Sequence, residues 1–116
     1  MIFYTIQSNT NFNEGDIIQR LNNTISLNDG TGLILGIVMK CNQIEDTLNY
    51  EVVVYVAGGG GLKIRLSSDW DGQPSRFEFK DNGVSPTSSA GDGWLIPDYP
   101  ATSYVVGDLV SGAVYK

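Results

Sequence analysis

Leu62-Lys63-Ile64-Arg65-Leu66 and Arg76-Phe77-Glu78-Phe79-Lys80 are the two stretches that decide the fold. In each, apolar and charged residues alternate one by one. A strand sends successive side chains to opposite faces. This period therefore puts Leu62, Ile64, Leu66, Phe77 and Phe79 against a core and leaves Lys63, Arg65, Arg76, Glu78 and Lys80 in water. An amphipathic helix would need apolar residues at i, i+3, i+4 and i+7, and no part of the chain sustains that pattern.

Downstream, Asp81-Asn82-Gly83 predicts a turn. Residues 84–93 read as a polar loop rich in Ser and Gly. Trp94-Leu95-Ile96 is a short apolar segment, and Pro97 and Pro100 keep it from running far as a central strand. Leu109–Tyr115 reads as the last strand. Upstream, Asp71-Gly72 and Pro74 form a turn, and the glycines at 58–61 read as a hairpin loop. Residues 49–57 predict the longest strand, with Val52, Val54 and Val56 on one face and Glu51, Val53 and Tyr55 on the other. Residues 42–47 are a polar connection.

Residues 33–40 place Leu33, Leu35, Ile37 and Met39 on one face and Ile34, Gly36 and Val38 on the other. Both faces are apolar, so this strand is predicted to be central and covered on both sides. Gly36 within it signals a bulge or a close contact. Earlier still, residues 2–7, Ile17–Leu21 and Thr24–Leu27 read as strands, with Asn22-Asn23 and Asn28-Asp29-Gly30 as turns. About eight or nine short strands with frequent turn signals predict an all-β protein, an antiparallel sandwich or flattened barrel without substantial helix. At this length residues 1–116 are read as a single domain. The expected core is Ile17, Leu33, Leu35, Ile37, Val52, Val54, Ile64, Leu66, Phe77 and Phe79.

Composition narrows function mainly by exclusion. The chain has no histidine and 1 cysteine, so a Ser-His-Asp triad, a Cys-His dyad, an intramolecular disulfide and a His-based zinc site are all ruled out. Net charge is −6, with 7 basic residues against 13 acidic ones. Duplex binding needs a basic footprint, so nucleic acid is not an expected partner. No basic leader with an apolar segment opens the sequence and no run is long enough to span a membrane, which predicts synthesis in a cytoplasm without a signal peptide. Cys41 then reads as a buried strand thiol, since no local basic group would lower its pKa. Without a secretory route the Asn22-Asn23-Thr24 sequon carries no meaning.

Motifs with chemical content are few. Asp69-Trp70-Asp71-Gly72 opens like a calcium loop, but the loop's sixth position, a glycine, would be Pro74 and its twelfth, a glutamate, would be Lys80. The glycine run lacks the Lys-Ser/Thr and the helix of a phosphate loop. No spacing selects two carboxylates as a glycosidase pair. The expectation is a protein without catalytic residues, cofactor or metal. Thr10-Asn11-Phe12-Asn13-Glu14-Gly15-Asp16-Ile17-Ile18 is echoed by Thr102-Ser103-Tyr104-Val105-Val106-Gly107-Asp108-Leu109-Val110. A glycine at positive φ and an Asp capping nearby N–H groups as a strand begins would explain the echo, with a paired ligand site as the alternative.

The candidate interaction residues are Trp70, Trp94, Tyr99, Lys63, Arg65, Leu109, Val110 and Tyr115. Aromatic faces stack on sugars or fill partner pockets, and Trp70 reads as the exposed tryptophan while Trp94 suits a core. If the two alternating strands pair, Lys63, Arg65, Arg76 and Lys80 form one basic outer face for an acidic protein partner. The first and last strands carry little protecting charge, which suits strand addition to a neighbour unless the two pair with each other.

Phe12-Asn13-Glu14-Gly15-Asp16-Ile17-Ile18, followed by Gly32-Leu33-Ile34-Leu35-Gly36-Ile37-Val38, is similar to the Gly-Asp-aliphatic and Gly-Ile-Val rhythm of β-rich capsid decoration proteins. With Gly91-Asp92-Gly93-Trp94, the chain resembles accessory virion proteins of tailed bacteriophages, the decoration or cement proteins and small fibre modules. The resemblance implies a non-enzymatic structural protein on a capsid or tail, in contact with other virion proteins and forming a symmetric homo-oligomer, often a trimer. The alternative is a carbohydrate-binding module, free or at a fibre tip.

Overall fold

A computed structural model describes residues 2–57, 61–89, 91–100 and 103–115. Among them ten strands form: β1 (Ile2–Ser8), β2 (Ile17–Leu21), β3 (Thr24–Leu27), β4 (Leu33–Gln43), β5 (Tyr50–Ala57), β6 (Leu62–Arg65), β7 (Ser75–Lys80), β8 (Gly83–Thr87), β9 (Gly93–Pro97) and β10 (Leu109–Tyr115). No helix forms among the described residues. The first five strands build one sheet in the order β1-β5-β4-β2-β3, and the last five build a second in the order β6-β10-β9-β7-β8. Every ladder between neighbours is antiparallel. The two sheets pack together, so the predicted all-β sandwich is the fold.

The core between the sheets joins Ile17, Ile37 and Tyr55 of the first to Ile64, Leu66, Phe77, Leu95 and Val114 of the second half. A second cluster of Phe12, Ile18, Val38, Val52 and Val54 lies on the other face of the first sheet. Adjacent residues such as Ile17 and Ile18, or Val54 and Tyr55, thus serve two cores, as strand alternation requires. The alternation in β6 and β7 holds: Leu62, Ile64, Leu66 and Phe77 are buried. Phe79 is half-buried, edge-on to Phe77 with ring centres 5.3 Å apart. Ile64→Ala and Phe77→Ala should each cost about 2–5 kcal/mol in a urea melt, the usual range for large-to-small core changes. A loss under about half a kcal/mol would contradict the inward placement.

Hairpin turns follow the sequence signals. Asn22 and Asp81 take positive φ, 56° and 51°, at the β2–β3 and β7–β8 turns. The echoed segments share one geometry. Asn13 N–H donates to Asp16 Oδ2 at 2.8 Å, and Val105 N–H donates to Asp108 Oδ2 at 3.0 Å. Gly15 and Gly107 have φ of 90° and 91°. Gly15 N–H then bonds the Val38 carbonyl, and Gly107 N–H bonds the Leu66 carbonyl. The echo therefore has the predicted turn-and-cap structure, and Phe12 packs into the second cluster.

Several expectations change. Within β4, Ile18 faces Gly36 and Gln19 faces Ile34, so Leu35 is the extra residue of a bulge. The bulge turns Leu35 to the second cluster, while Ile34, Ile37 and Met39 stay on the inter-sheet side. Leu33, expected in the core, is 71% exposed: it pairs with Arg20 of β2 but lies beyond the β5 ladder, which begins at Ile37. At Gly36, φ is 146° and a Cβ would run into the Tyr55 carbonyl. Gly36→Ala should therefore destabilise by about 1–3 kcal/mol, the usual cost of a strained backbone position, measurable by thermal melting.

The glycine loop was expected to close a hairpin. Instead β5 pairs with β1 and β4 while β6 pairs with β10, so the chain crosses between sheets there; residues 58–60 themselves lie outside the described residues. The expected loop at 84–93 contains β8, whose Pro86 is tolerated because β8 is the last strand of its sheet. The short segment at Trp94 is a central strand, β9, which ends at Pro97. β4, not β5, is the longest strand.

Candidate interaction surfaces

The outward face of the second sheet is set by its register. Tyr115 of β10 stands opposite Trp94 of β9, which stands opposite Arg76 of β7, which stands opposite Thr87 of β8. One transverse row of side chains thus crosses four strands. Trp94 is 47% exposed, and the Arg76 guanidinium sits over its ring, 5.1 Å from the centroid. Tyr115 and Ile96 are exposed on the same sheet. Two expectations reverse here. Trp94 suits a core by its apolar neighbours, but the odd-even alternation of β9 buries Leu95 and turns Trp94 outward. Trp70 reads as a surface residue among its polar neighbours, but it is only 4% exposed.

Trp70 instead supports a loop. Its ring stacks on Tyr104 with centroids 5.6 Å apart, and its backbone exchanges two hydrogen bonds with that residue, at 3.0 and 2.7 Å. Its indole N–H donates to the Gln73 carbonyl at 2.9 Å. Asp69 and Asp71 flank it, each with one carboxylate oxygen accepting a loop N–H, from Val106 and Gln73 respectively. Between this loop, β7 and the end of β8 lies an open groove of about 530 Å³, walled by Asp69, Asp71, Arg76, Thr87, Ser88 and Trp94. The groove was not foreseen, since its β8 wall read as loop.

The other candidates scatter. Val110 is buried in the inter-sheet core. Leu109 is exposed and pairs with Arg65 across the β10–β6 ladder. Tyr99 is exposed after β9, and its carbonyl accepts the Tyr104 hydroxyl at 2.7 Å. The expected basic face does not form as one patch, because β10 and β9 separate β6 from β7. Lys63 and Arg65 lie on one strand, Arg76 and Lys80 on another. Arg65 is also committed to an ion pair with Asp16. Cys41 is half-buried, and its sulfur accepts the Phe12 N–H at 3.4 Å. Among the described residues no three Asp, Glu or Cys side chains gather as a metal site.

The strand edges form the second surface. The termini do not pair with each other: β1 bonds only β5, and β10 lies between β6 and β9. The second sheet nearly closes on itself through a Leu66–Val84 bridge, with Ser67 N–H bonding the Val84 carbonyl at 3.0 Å. β8 also carries Pro86, β6 carries Lys63 and Arg65, and β3 is only 4 residues long. β1 runs 7 residues, Ile-Phe-Tyr-Thr-Ile-Gln-Ser, with neither charge nor proline. Ile2 and Phe3 are exposed on it, while Tyr4 and Ile6 pack against the second cluster. Burial pushes the Tyr4 hydroxyl pKa up, partly opposed by the Arg20 charge, and the hydroxyl donates to the Leu35 carbonyl at 3.1 Å.

A scan of protein-family models finds none that matches the chain, and a search of the curated proteins finds no match.

Proposed function

We propose that the protein is a non-enzymatic structural component of a virion, which docks on a larger assembly, and on copies of itself, by strand addition at β1. One observation carries the reading: of the four sheet edges among the described residues, β1 alone is long, uncharged and free of proline, and its ladder is regular from Phe3 to Ser8. Natural monomers blunt such edges with charge, proline, bulges or shortness. The other three edges of this protein are blunted in those ways, or covered by the bridge to Leu66. An open strand presents a row of backbone donors and acceptors that another strand satisfies, with side-chain fit supplying specificity. The resemblance to phage decoration and fibre proteins supplies the kind of assembly, a capsid or tail with other virion proteins as partners.

The test places charge on the edge. Phe3→Lys with Thr5→Lys alters two exposed side chains of β1. Light scattering of the native protein should show oligomers, and co-sedimentation should show binding to intact particles. The double variant should lose both while its melting temperature stays within a few degrees. A native protein that is monomeric at high concentration and fails to bind particles would end this reading.

A further inference from the structure

We propose that the groove beside Trp94 binds a neutral saccharide. Trp94 is the observation that sets this apart from an ordinary surface. A large apolar ring stands about half exposed in the middle of a sheet, held by neighbours on both flanks. The Arg76 guanidinium lies over one face of that ring, and the part that stays exposed offers a flat apolar surface of the kind that packs on the C–H face of a pyranose. Its strand is central, so the platform is rigid before any ligand arrives.

The rest of the groove supplies what sugar hydroxyls need. Each hydroxyl both donates and accepts. Asp69 and Asp71 line the groove and are acceptors, each with one oxygen already used in a loop hydrogen bond. Arg76 is a donor, and Thr87 and Ser88 can do either. The loop carrying the carboxylates is pinned by Trp70 and Tyr104, so little order need be lost on binding. The volume of about 530 Å³ lies within the range of small-molecule sites.

Charge selects the ligand class. Two carboxylates against one guanidinium disfavour sialylated, sulfated or phosphorylated sugars. A proline-rich peptide is the competing occupant of an aromatic groove. It docks in slots lined by successive aromatic side chains. Here Trp94 is the exposed aromatic in the groove wall, Trp70 being buried, and the wall adds Pro74 and Pro86 to the carboxylates, the guanidinium and the hydroxyls in place of further exposed rings.

The groove belongs to the second sheet and β1 to the first, so this site stands or falls independently of docking. An oligosaccharide array holding neutral and acidic glycans, followed by calorimetry with the best neutral binder, tests it. At least one neutral oligosaccharide should bind. Trp94→Ala should weaken it tenfold or more, and Asp71→Asn several-fold, with circular dichroism unchanged in both. The proposal is overturned if no neutral glycan binds at millimolar concentration, or if Trp94→Ala binds as well as the native protein. It is equally overturned if only acidic glycans, or a poly-L-proline peptide in place of any sugar, occupy the site.

Discussion

Deleting residues 109–116 should unfold the second sheet and with it the protein. β10 is bonded on both sides, to β6 through Leu109–Arg65 and its successors and to β9 through Gly112–Pro97 and its successors. Removing it leaves β6 without a partner in its ladder and strips Val110, Ala113 and Val114 from the core. Two buried valines alone stand for about 3–6 kcal/mol of transfer free energy. Their loss also exposes Leu62, Ile64 and Leu95. The Tyr55 hydroxyl donates to the Val114 carbonyl at 3.4 Å, and that hydrogen bond is lost with β10. Domains are stable by only about 5–15 kcal/mol, so the two valines alone take a large part of that margin before the lost ladder is counted. Far-UV circular dichroism and amide dispersion of the truncated chain should show no cooperative melt. A truncated chain that melts cooperatively near the native temperature would contradict the central position of β10. It would also revive the tail as a docking strand.

Strand content and much of the core were legible because alternation is a local signal. Leu62-Lys63-Ile64-Arg65-Leu66 can bury its leucines and isoleucine in only one way as a strand, and it does. Pairing was not legible, because it is decided by partners far along the chain. Nothing near Gly58–Gly61 says that β6 will find β10 rather than β5. The bulge in β4 shows the intermediate case. Gly36 announced an irregularity, yet a period of two cannot reveal which residue the irregularity skips. That residue is Leu35, and with the bulge the face assignments of Leu33 and Leu35 failed. Pro86 misled for a related reason. A proline argues against a central strand, not against a last one, and edge position is again a matter of pairing.

The two tryptophans show the same limit at the candidate site. Trp70 sits among Ser67, Ser68, Asp69 and Asp71, which reads as a solvated loop. Its burial comes from Tyr104, a residue distant in sequence that bridges to it. Trp94 sits beside Leu95 and Ile96, which reads as core. Yet a five-residue strand covered on one face must turn alternate residues outward, and the neighbour Leu95 takes the inward place. Parity in β9 could have been assigned from Pro97 as the strand end, had Gly93–Pro97 been recognised as a strand at all.

Asp16→Ala should destabilise the protein by about 3 kcal/mol, far more than the same change at its echo, Asp108. The two carboxylates cap equivalent turns, but their surroundings differ. Asp16 is 4% exposed, and its Oδ1 accepts both the Arg65 guanidinium and the Asn82 amide, the latter at 3.0 Å. Asn82 in turn accepts the Ile17 N–H at 2.9 Å, so one carboxylate ties the start of β2 to β6 and to the β7–β8 turn. Asn28 adds a parallel tie, donating to the Asp81 carbonyl at 2.8 Å. Without Asp16 the Arg65 charge, three-quarters covered, has no partner. Removing one member of a buried pair costs more than the pair contributes, because the survivor stays desolvated. Asp108 is half-buried, and its side chain accepts the N–H of Val105. Its removal should cost about 1 kcal/mol, the net worth of one hydrogen bond. Arg65→Met with Asp16→Leu should recover the part of the loss that comes from the unpaired charge, and keep the part that comes from the Asn13 N–H and the Asn82 amide losing their acceptor. Urea melts of the four proteins, with the native as reference, decide the matter. Equal losses at Asp16 and Asp108 would show that both residues act only as turn caps and that the inter-sheet tie contributes nothing.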